Sequence, residues 1–423
     1  MSKEKLIPEL RFPEFKNEGE WTETFLGSVV EMKGRIGYRG YTTEDIVDKG
    51  KGAITLSPSN FKENGQLNFD KCTYISWAKY DESPEIQLEE GQTVLVKTAS
   101  VGKTAYVDNL PEKATVNPQI VVLKPKTIQN RFLSYTVSHQ NSQTQIRNNV
   151  GAGAIPNISQ EIISKIKILI PPDRERKEQQ KIATCLSSLD EVIGAHSQKL
   201  DLLKDHKKAL MQNLFPQEGK KVPKYRFKEF EKDGEWVEKK LGTIGDPLMC
   251  KRILKEQTTS NSKDGIPFYK IGTFGREADA YIPIELYEEF KNKYSFPNVG
   301  DILISASGTI GRLVVYDGLP AYFQDSNIVW LGNNEELVLN AFLYHCYSIL
   351  KWQTSDGGII SRLYNSDLKN IGIKFPKGKA EQQKIASCLS SLDALINAQA
   401  EKIEQLKFHK MGLMQGLFPK IID

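Results

Sequence analysis

Residues 178–190 read EQQKIATCLSSLD, and residues 381–393 read EQQKIASCLSSLD. Twelve of the thirteen positions are identical, and the exception is Thr184 against Ser387. The copies lie 203 residues apart (381 − 178 = 203), close to half of the 423-residue chain. A repeat of that period sets a two-half architecture before any residue has a role. The likeness continues to Pro216 and Pro419, with 25 of 39 positions identical between 178–216 and 381–419. A second repeat opens each half: LRFPEF…GEW…LG (10–27) matches YRFKEF…GEW…LG (225–242) at 10 of 18 positions and an offset of 215. Between these anchors the likeness is thin. GQTVLVKTASVGK (91–103) can be laid on GDILISASGTIGR (300–312) at an offset of 209. Each half is therefore a variable globular segment followed by a near-constant helical one.

The helical segments carry a heptad seam, the pattern of a coiled coil. In the first copy the seam is Ile182, Leu186, Leu189, Ile193, Leu200, Leu203, Leu210 and Leu214. In the second it is Ile385, Leu389, Leu392, Ile396, Ile403, Leu406, Leu413 and Leu417. The steps alternate four and three, with gaps at His196 and Lys207 and at Gln399 and Lys410. Pro171, Pro172 and Pro376 precede the helices, and Pro216 and Pro419 end them, because proline cannot continue the helical ladder. A helix over 178–214 would be about 55 Å long. Antiparallel pairing would set Ile182 near Leu417 and Leu214 near Ile385, with His196 facing Ile403 and Gln399 facing Leu200. Residues 173–216 hold eight basic and seven acidic side chains. Such a near-neutral helix reads as a spacer whose outer faces are left for partner proteins rather than for DNA.

The globular segments mix short β-rich runs, such as TVLVKTA (93–99) and DILISA (301–306), with helical stretches near 130–147 and 339–352. The expected fold is mixed α/β (α+β): two globular domains separated by two long antiparallel coiled-coil helices, with a pseudo-twofold relation. The expected boundaries are 1–172 and 217–376 for the globular domains, and 173–216 and 377–423 for the helices. Strand order stays open.

Hydrophobic content of 39% and charged content of 26% fit a core-forming soluble protein. MSKEKLIPEL has no signal-like apolar stretch, and no run approaches the roughly 18 apolar residues of a membrane helix. The expectation is a cytoplasmic protein without a membrane partner. Five scattered cysteines with no CxxC pair argue against a disulfide framework and against a zinc site. A net charge of +4 requires any nucleic-acid contact to come from local patches.

Several patches qualify. GRIGYRGYTTEDI (34–46), preceded by Lys33, interleaves glycines with Arg35, Tyr38, Arg39 and Tyr41. Arginine can fork onto guanine or hold a phosphate, although an ordinary turn-rich loop with solvated arginines has the same look. The second half offers Lys251, Arg252, Lys255 and the run from Lys270 to Arg276. Lys97 is a further basic candidate. Lys103 and Arg312 each follow a glycine at repeat-equivalent positions and are the best phosphate candidates, positioning without specifying. Asn117, Gln119, Gln324 and Asn327 could pair with adenine edges or make strand-end hydrogen bonds. Gly102-Lys103-Thr104 imitates the end of a phosphate-binding loop, but Lys97 stands where that motif needs glycine. No HExxH, GxSxG or methyltransferase-like NPPY motif is present, so no catalytic or metal residue is expected.

With EQQKIA…LSSLD…LMQ.LFP present twice, each copy preceded by a proline-ended strand and each half opened by RF.EF…GEW…LG, the chain resembles the specificity subunit of type I restriction-modification enzymes. The resemblance covers essentially the whole chain. It implies two target-recognition domains, each reading one half of a bipartite site in double-stranded DNA. It implies that the helices act as ruler and docking surface for two copies of a modification subunit, which methylates adenine with S-adenosylmethionine. Restriction subunits would add ATP- and Mg-dependent cleavage, and this subunit would hold no cofactor. Two rivals remain: a two-domain coiled-coil scaffold that does not bind DNA, and a self-sufficient DNA enzyme lacking a recognisable motif.

Overall fold

A computed structural model describes residues 6–35, 40–151, 153–172, 175–263, 265–352 and 362–420. The chain divides into two compact units, Met1–Ser197 with Glu401–Asp423, and Gln198–Ala400. The division does not fall at the ends of the helical segments. It runs through both long helices, Lys177–Leu214 and Lys379–Leu417. Each unit thus combines one globular segment with part of each helix.

In the first unit, Ile182, Ala183 and Leu186 share a core with Leu417 and Phe418, and Leu413 and Met414 pack against it. Asp190 meets Lys410. As one helix advances the other recedes, so the two run antiparallel within this unit. In the second unit, Leu214 and Phe215 share a core with Ile385, Ala386 and Leu389, and Lys207 meets Asp393, which is again antiparallel. Ile182, Leu186, Ile193, Leu214, Ile385, Leu389, Leu392, Ile403 and Leu417 are buried. Leu189, Leu200, Leu203, Leu210, Ile396, Leu406 and Leu413 are half-buried. Each helix opens with a glutamate in its first turn, where the helix dipole favours negative charge.

The first unit holds a four-stranded antiparallel sheet in the order Val30–Gly34, Ile120–Pro125, Thr93–Val96, Thr104–Tyr106. A second sheet runs Ile46–Val47, Thr73–Ser76, Gly52–Leu56, Ala114–Val116, and its last pair is parallel. The second unit repeats the first sheet as Gly245–Leu248, Ile328–Asn333, Ile302–Ser305, Leu313–Val315. Its other sheet has three strands, Tyr281–Pro283, Gly265–Tyr269 and Tyr322–Phe323. A two-stranded ribbon closes each globular segment: Thr22–Phe25 pairs with Lys167–Ile170, and Val237–Lys240 with Gly372–Phe375. Central strands such as Thr93–Val96 and Ile302–Ser305 are buried along their whole length, which is why both read as continuous apolar runs.

Candidate nucleic-acid interface

The thin likeness at offset 209 corresponds to one turn built twice. In the first unit the Val96 amide donates to the Lys103 carbonyl (2.8 Å), and the Gly102 amide to the Val96 carbonyl (2.9 Å). The Lys97 amide donates to the Gln119 carbonyl, and the Lys97 carbonyl accepts from Ile158. In the second unit Ser305 donates to Arg312 (2.9 Å), Gly311 to Ser305 (3.0 Å), and Ala306 to Asn327, while the Ala306 carbonyl accepts from Leu363. Ala99 and Gly308 share a left-handed backbone, with φ of 65° and 64°. Gly102 and Gly311 are left-handed too, and a Cβ there would come within 2.7 Å of Gln143 and 2.2 Å of Trp352. Only glycine fits both turns.

Lys103 and Arg312 therefore leave the same backbone position, but their side chains differ. Lys103 is exposed and borders a cleft of about 910 Å³, whose lining includes Lys62, Arg131, Lys407 and Lys410. Arg312 is half-buried, and its Nη1 donates to the Phe274 carbonyl at 2.7 Å.

Around Arg312 three loops of the second unit converge. Gln324 Oε1 accepts the Ile271 amide (2.9 Å), and the Gln324 amide donates to the Tyr269 carbonyl. Asn327 Oδ1 accepts from the Ser307 hydroxyl (2.9 Å). Arg362 Nη2 donates to the Ser326 carbonyl (2.8 Å). The basic run Lys270–Arg276 lies in this cluster. Lys270 pairs with Asp279 (2.8 Å), whereas Arg276 is exposed. Lys251 places its ammonium 5.1 Å from the centre of the Tyr294 ring. Arg252 and Lys255 are exposed.

The glycine-rich patch of the first unit is placed differently from its open-loop appearance. Arg35 is only 4% exposed. Its Nε donates to the Val116 carbonyl and its Nη2 to the Thr115 hydroxyl. Burial lowers its pKa, and this guanidinium braces the buried edge strand Ala114–Val116. Lys33 forms an ion pair with Glu31 at 3.0 Å. Tyr38 and Arg39 lie outside the described residues. Lys97 is half-buried. Asn117 is buried and donates to Gln119 Oε1 (3.1 Å). Each of the four candidate amides thus holds at least one bond inside its own unit.

Sequence reasoning missed two matching clamps. Arg11 holds Glu178 through both guanidinium nitrogens, Nε and Nη2, each at 2.8 Å, and Nη1 caps the Gly19 carbonyl. Trp21 Nε1 adds a bond to Glu178. Arg226, Gly234 and Trp236 do the same around Glu381. Gln179 accepts the Gln129 amide and Gln382 accepts the Leu339 amide. The start of the thirteen-residue repeat is therefore buried, with Glu178 and Glu381 each 1% exposed. That start is the joint between helix and globular segment, while Gln180, Lys181, Thr184 and Ser188 further along the repeat stay exposed. The signal was present in the RF…GEW repeat, which places an arginine and a tryptophan at matching positions in both halves. Among the described residues no group of three or more His, Cys, Asp or Glu could hold a metal ion, and no helix is long and apolar enough to cross a membrane.

A family model described as the type I restriction modification DNA specificity domain matches residues 18–205 and 233–407. A putative type I restriction enzyme specificity subunit of Haemophilus influenzae is 58% identical over 161 residues, which is 38% of this chain and 41% of that protein. The chain thus spans less than half of that relative. The putative MjaX specificity subunit of Methanocaldococcus jannaschii is 25% identical over 442 aligned positions, covering 96% of this chain and 97% of that one. Among solved structures, the S subunit of a type I restriction-modification system from M. genitalium aligns with a TM-score of 0.63 at 16% identity, over 98% of this chain and all of that chain. A structure described as showing complex assembly and conformational transition of the type I system aligns with a TM-score of 0.52 at 17% identity, over 95% of this chain and 98% of that one. At these identities the structural matches speak for the fold.

Proposed function

The chain belongs to the type I restriction-modification DNA specificity family, and from that premise we propose that it reads a bipartite target in double-stranded DNA, one half-site with each unit. The observation that carries this reading is the twice-built turn with a basic residue at its end, set among loops that differ between the units. A shared scaffold with divergent loops suits two modules that read different bases at separated half-sites. Exposed Lys103, Arg252, Lys255 and Arg276 supply local positive charge on a chain of net charge +4, enough for phosphate contacts without a uniformly basic surface. The long helices set the gap between half-sites, and their outer faces dock modification subunits, two copies in this reading. Those partners would carry S-adenosylmethionine and the adenine chemistry. Restriction subunits would carry ATP and Mg. This chain contributes no catalytic group.

The test is methylation mapping of DNA from cells holding this chain and its partner subunits. The expected result is one methylated bipartite motif. Exchanging the 10–170 segment for that of a relative should change one half-site and keep the other. Inserting helical turns between 190 and 205 should lengthen the gap. If both half-sites changed with one exchange, or the gap ignored the insertion, the modular reading would fail.

A further inference from the structure

The turn built twice ends in two basic residues whose surroundings assign them different work. We propose that Lys103 is a phosphate contact, whereas Arg312 is a positioning residue that holds a base-reading loop, Lys270–Arg276, with Arg276 as its reading group. This rests on the DNA-binding reading above and deepens it.

The loop's own bonds make it a compact unit. The Thr273 hydroxyl accepts the Lys270 amide (3.1 Å), the Thr273 amide donates to the Lys270 carbonyl (3.0 Å), and the Arg276 amide donates to the Thr273 carbonyl (2.9 Å). Phe274 is 1% exposed and plugs the loop into the core. Gly275 is left-handed at φ 72°, and a Cβ there would lie 3.6 Å from the Arg312 side chain. Two side chains next to strand ends, Arg312 before Leu313–Val315 and Gln324 after Tyr322–Phe323, then hold the loop's backbone. Arg312 Nη1 grips the Phe274 carbonyl, and Gln324 Oε1 takes the Ile271 amide. A guanidinium directed at a carbonyl inside its own unit is poorly placed to neutralise a phosphate. Beyond this anchored backbone Arg276 projects into solvent, and among the described residues its side chain meets no acceptor. A planar fork on a rigid support is what bidentate recognition of a guanine edge requires. Lys103 has the opposite character: it is exposed and meets no acceptor among the described residues, whereas Arg131, Lys407 and Lys410 on the same cleft pair with Asp108, Glu404 and Asp190.

Salt dependence separates the two roles. Each phosphate contact adds about one to the slope of log affinity against log salt concentration, whereas a base contact changes discrimination at one position. The measurement is anisotropy of labelled duplexes bound by the full chain in complex with its modification subunits, across a salt series. The duplexes carry the mapped target, or the target with one substitution in either half-site. Lys103→Ala should lower the slope by about one and keep discrimination at both half-sites. Arg312→Met and Gln324→Met should leave the slope unchanged, and should reduce discrimination at the second unit's half-site roughly tenfold or more while sparing the other. Arg276→Ala, an exposed change that leaves the fold intact, should lose discrimination at that same half-site. The proposal is overturned if Arg312→Met lowers the slope with discrimination intact, or if Arg276→Ala discriminates as the parent does. If the parent complex itself shows no sequence-selective, salt-dependent binding, it is the DNA-binding reading that fails instead.

Discussion

Asp190 and Lys410 meet at 2.6 Å where the two long helices run antiparallel in the first unit. Both are largely buried, with side-chain exposures of 16% and 17%. Asp190 also accepts the Tyr135 hydroxyl at 2.7 Å, and Lys410 lies over the Tyr135 ring. The Tyr135 pKa is raised, first by burial and then by Asp190. In the second unit Lys207 and Asp393 meet at 2.5 Å. Both lysines occupy gaps in the heptad seam, and both aspartates close the thirteen-residue repeat. Here the seam exchanges apolar packing for an ion pair that other registers would leave unmatched.

Removing one partner should therefore cost more than removing both. Asp190→Ala leaves a largely buried ammonium and a phenol without their acceptor, for a loss of about 1–3 kcal/mol. The double change Asp190→Leu with Lys410→Leu should lie closer to the parent than either single change. Denaturant midpoints of the four proteins would check this, and additive losses would show that the pair is not coupled.

The two clamps predict a larger effect. Glu178→Ala strands the Arg11 guanidinium and the Trp21 indole, and Glu381→Ala strands Arg226 and Trp236. Each should lose about 3–5 kcal/mol. Near-ultraviolet dichroism, which reports tryptophan packing, should change in step with the midpoint.

The heptad seam was legible because its period is written along one stretch of chain. Strand order was not, because pairings such as Val30 with Pro125 join distant segments through apolar runs that carry no address. The clamps fell between these cases. Glu178 and Gln179 look like a solvated helix start, and only Arg11 and Trp21, 167 and 157 residues before Glu178, and Gln129, which bonds Gln179, reveal that they are buried. Arg35 misled for the converse reason: glycines around an arginine suggest an open loop, whereas its guanidinium satisfies groups of a buried edge strand that no local pattern announces.

Leu189 and Leu392 are repeat equivalents with unequal surroundings. Leu392 is 7% exposed, and Leu189 is only half-buried. Glutamate at either position places a charge on the helix seam. Leu392→Glu should cost several kcal/mol, and Leu189→Glu should cost less because its carboxylate can reach water. Equal losses, followed by helicity during urea titration, would mean that the two ends of the pair are packed alike.

Acid should weaken the fold through two buried histidines. His139 stacks on Phe418 with ring centres 4.8 Å apart, and its Nδ1 accepts the Asn141 amide at 3.3 Å. Burial lowers its pKa from 6.5 to about 4. His345, beside Ser390, is lowered to about 4 by burial and then by Lys207. In both cases the unfolded chain takes up the proton first. The contribution is fully present above the unfolded value near 6.5, is lost progressively as the pH falls from there towards about 4, and is flat below. Each histidine should account for a loss on the order of 2–3 kcal/mol over that window. Urea midpoints at about pH 7 and about pH 5 should differ in the parent, and His139→Phe should reduce the difference because phenylalanine keeps the stacking and binds no proton. A midpoint as pH-sensitive in His139→Phe as in the parent would place the acid sensitivity elsewhere.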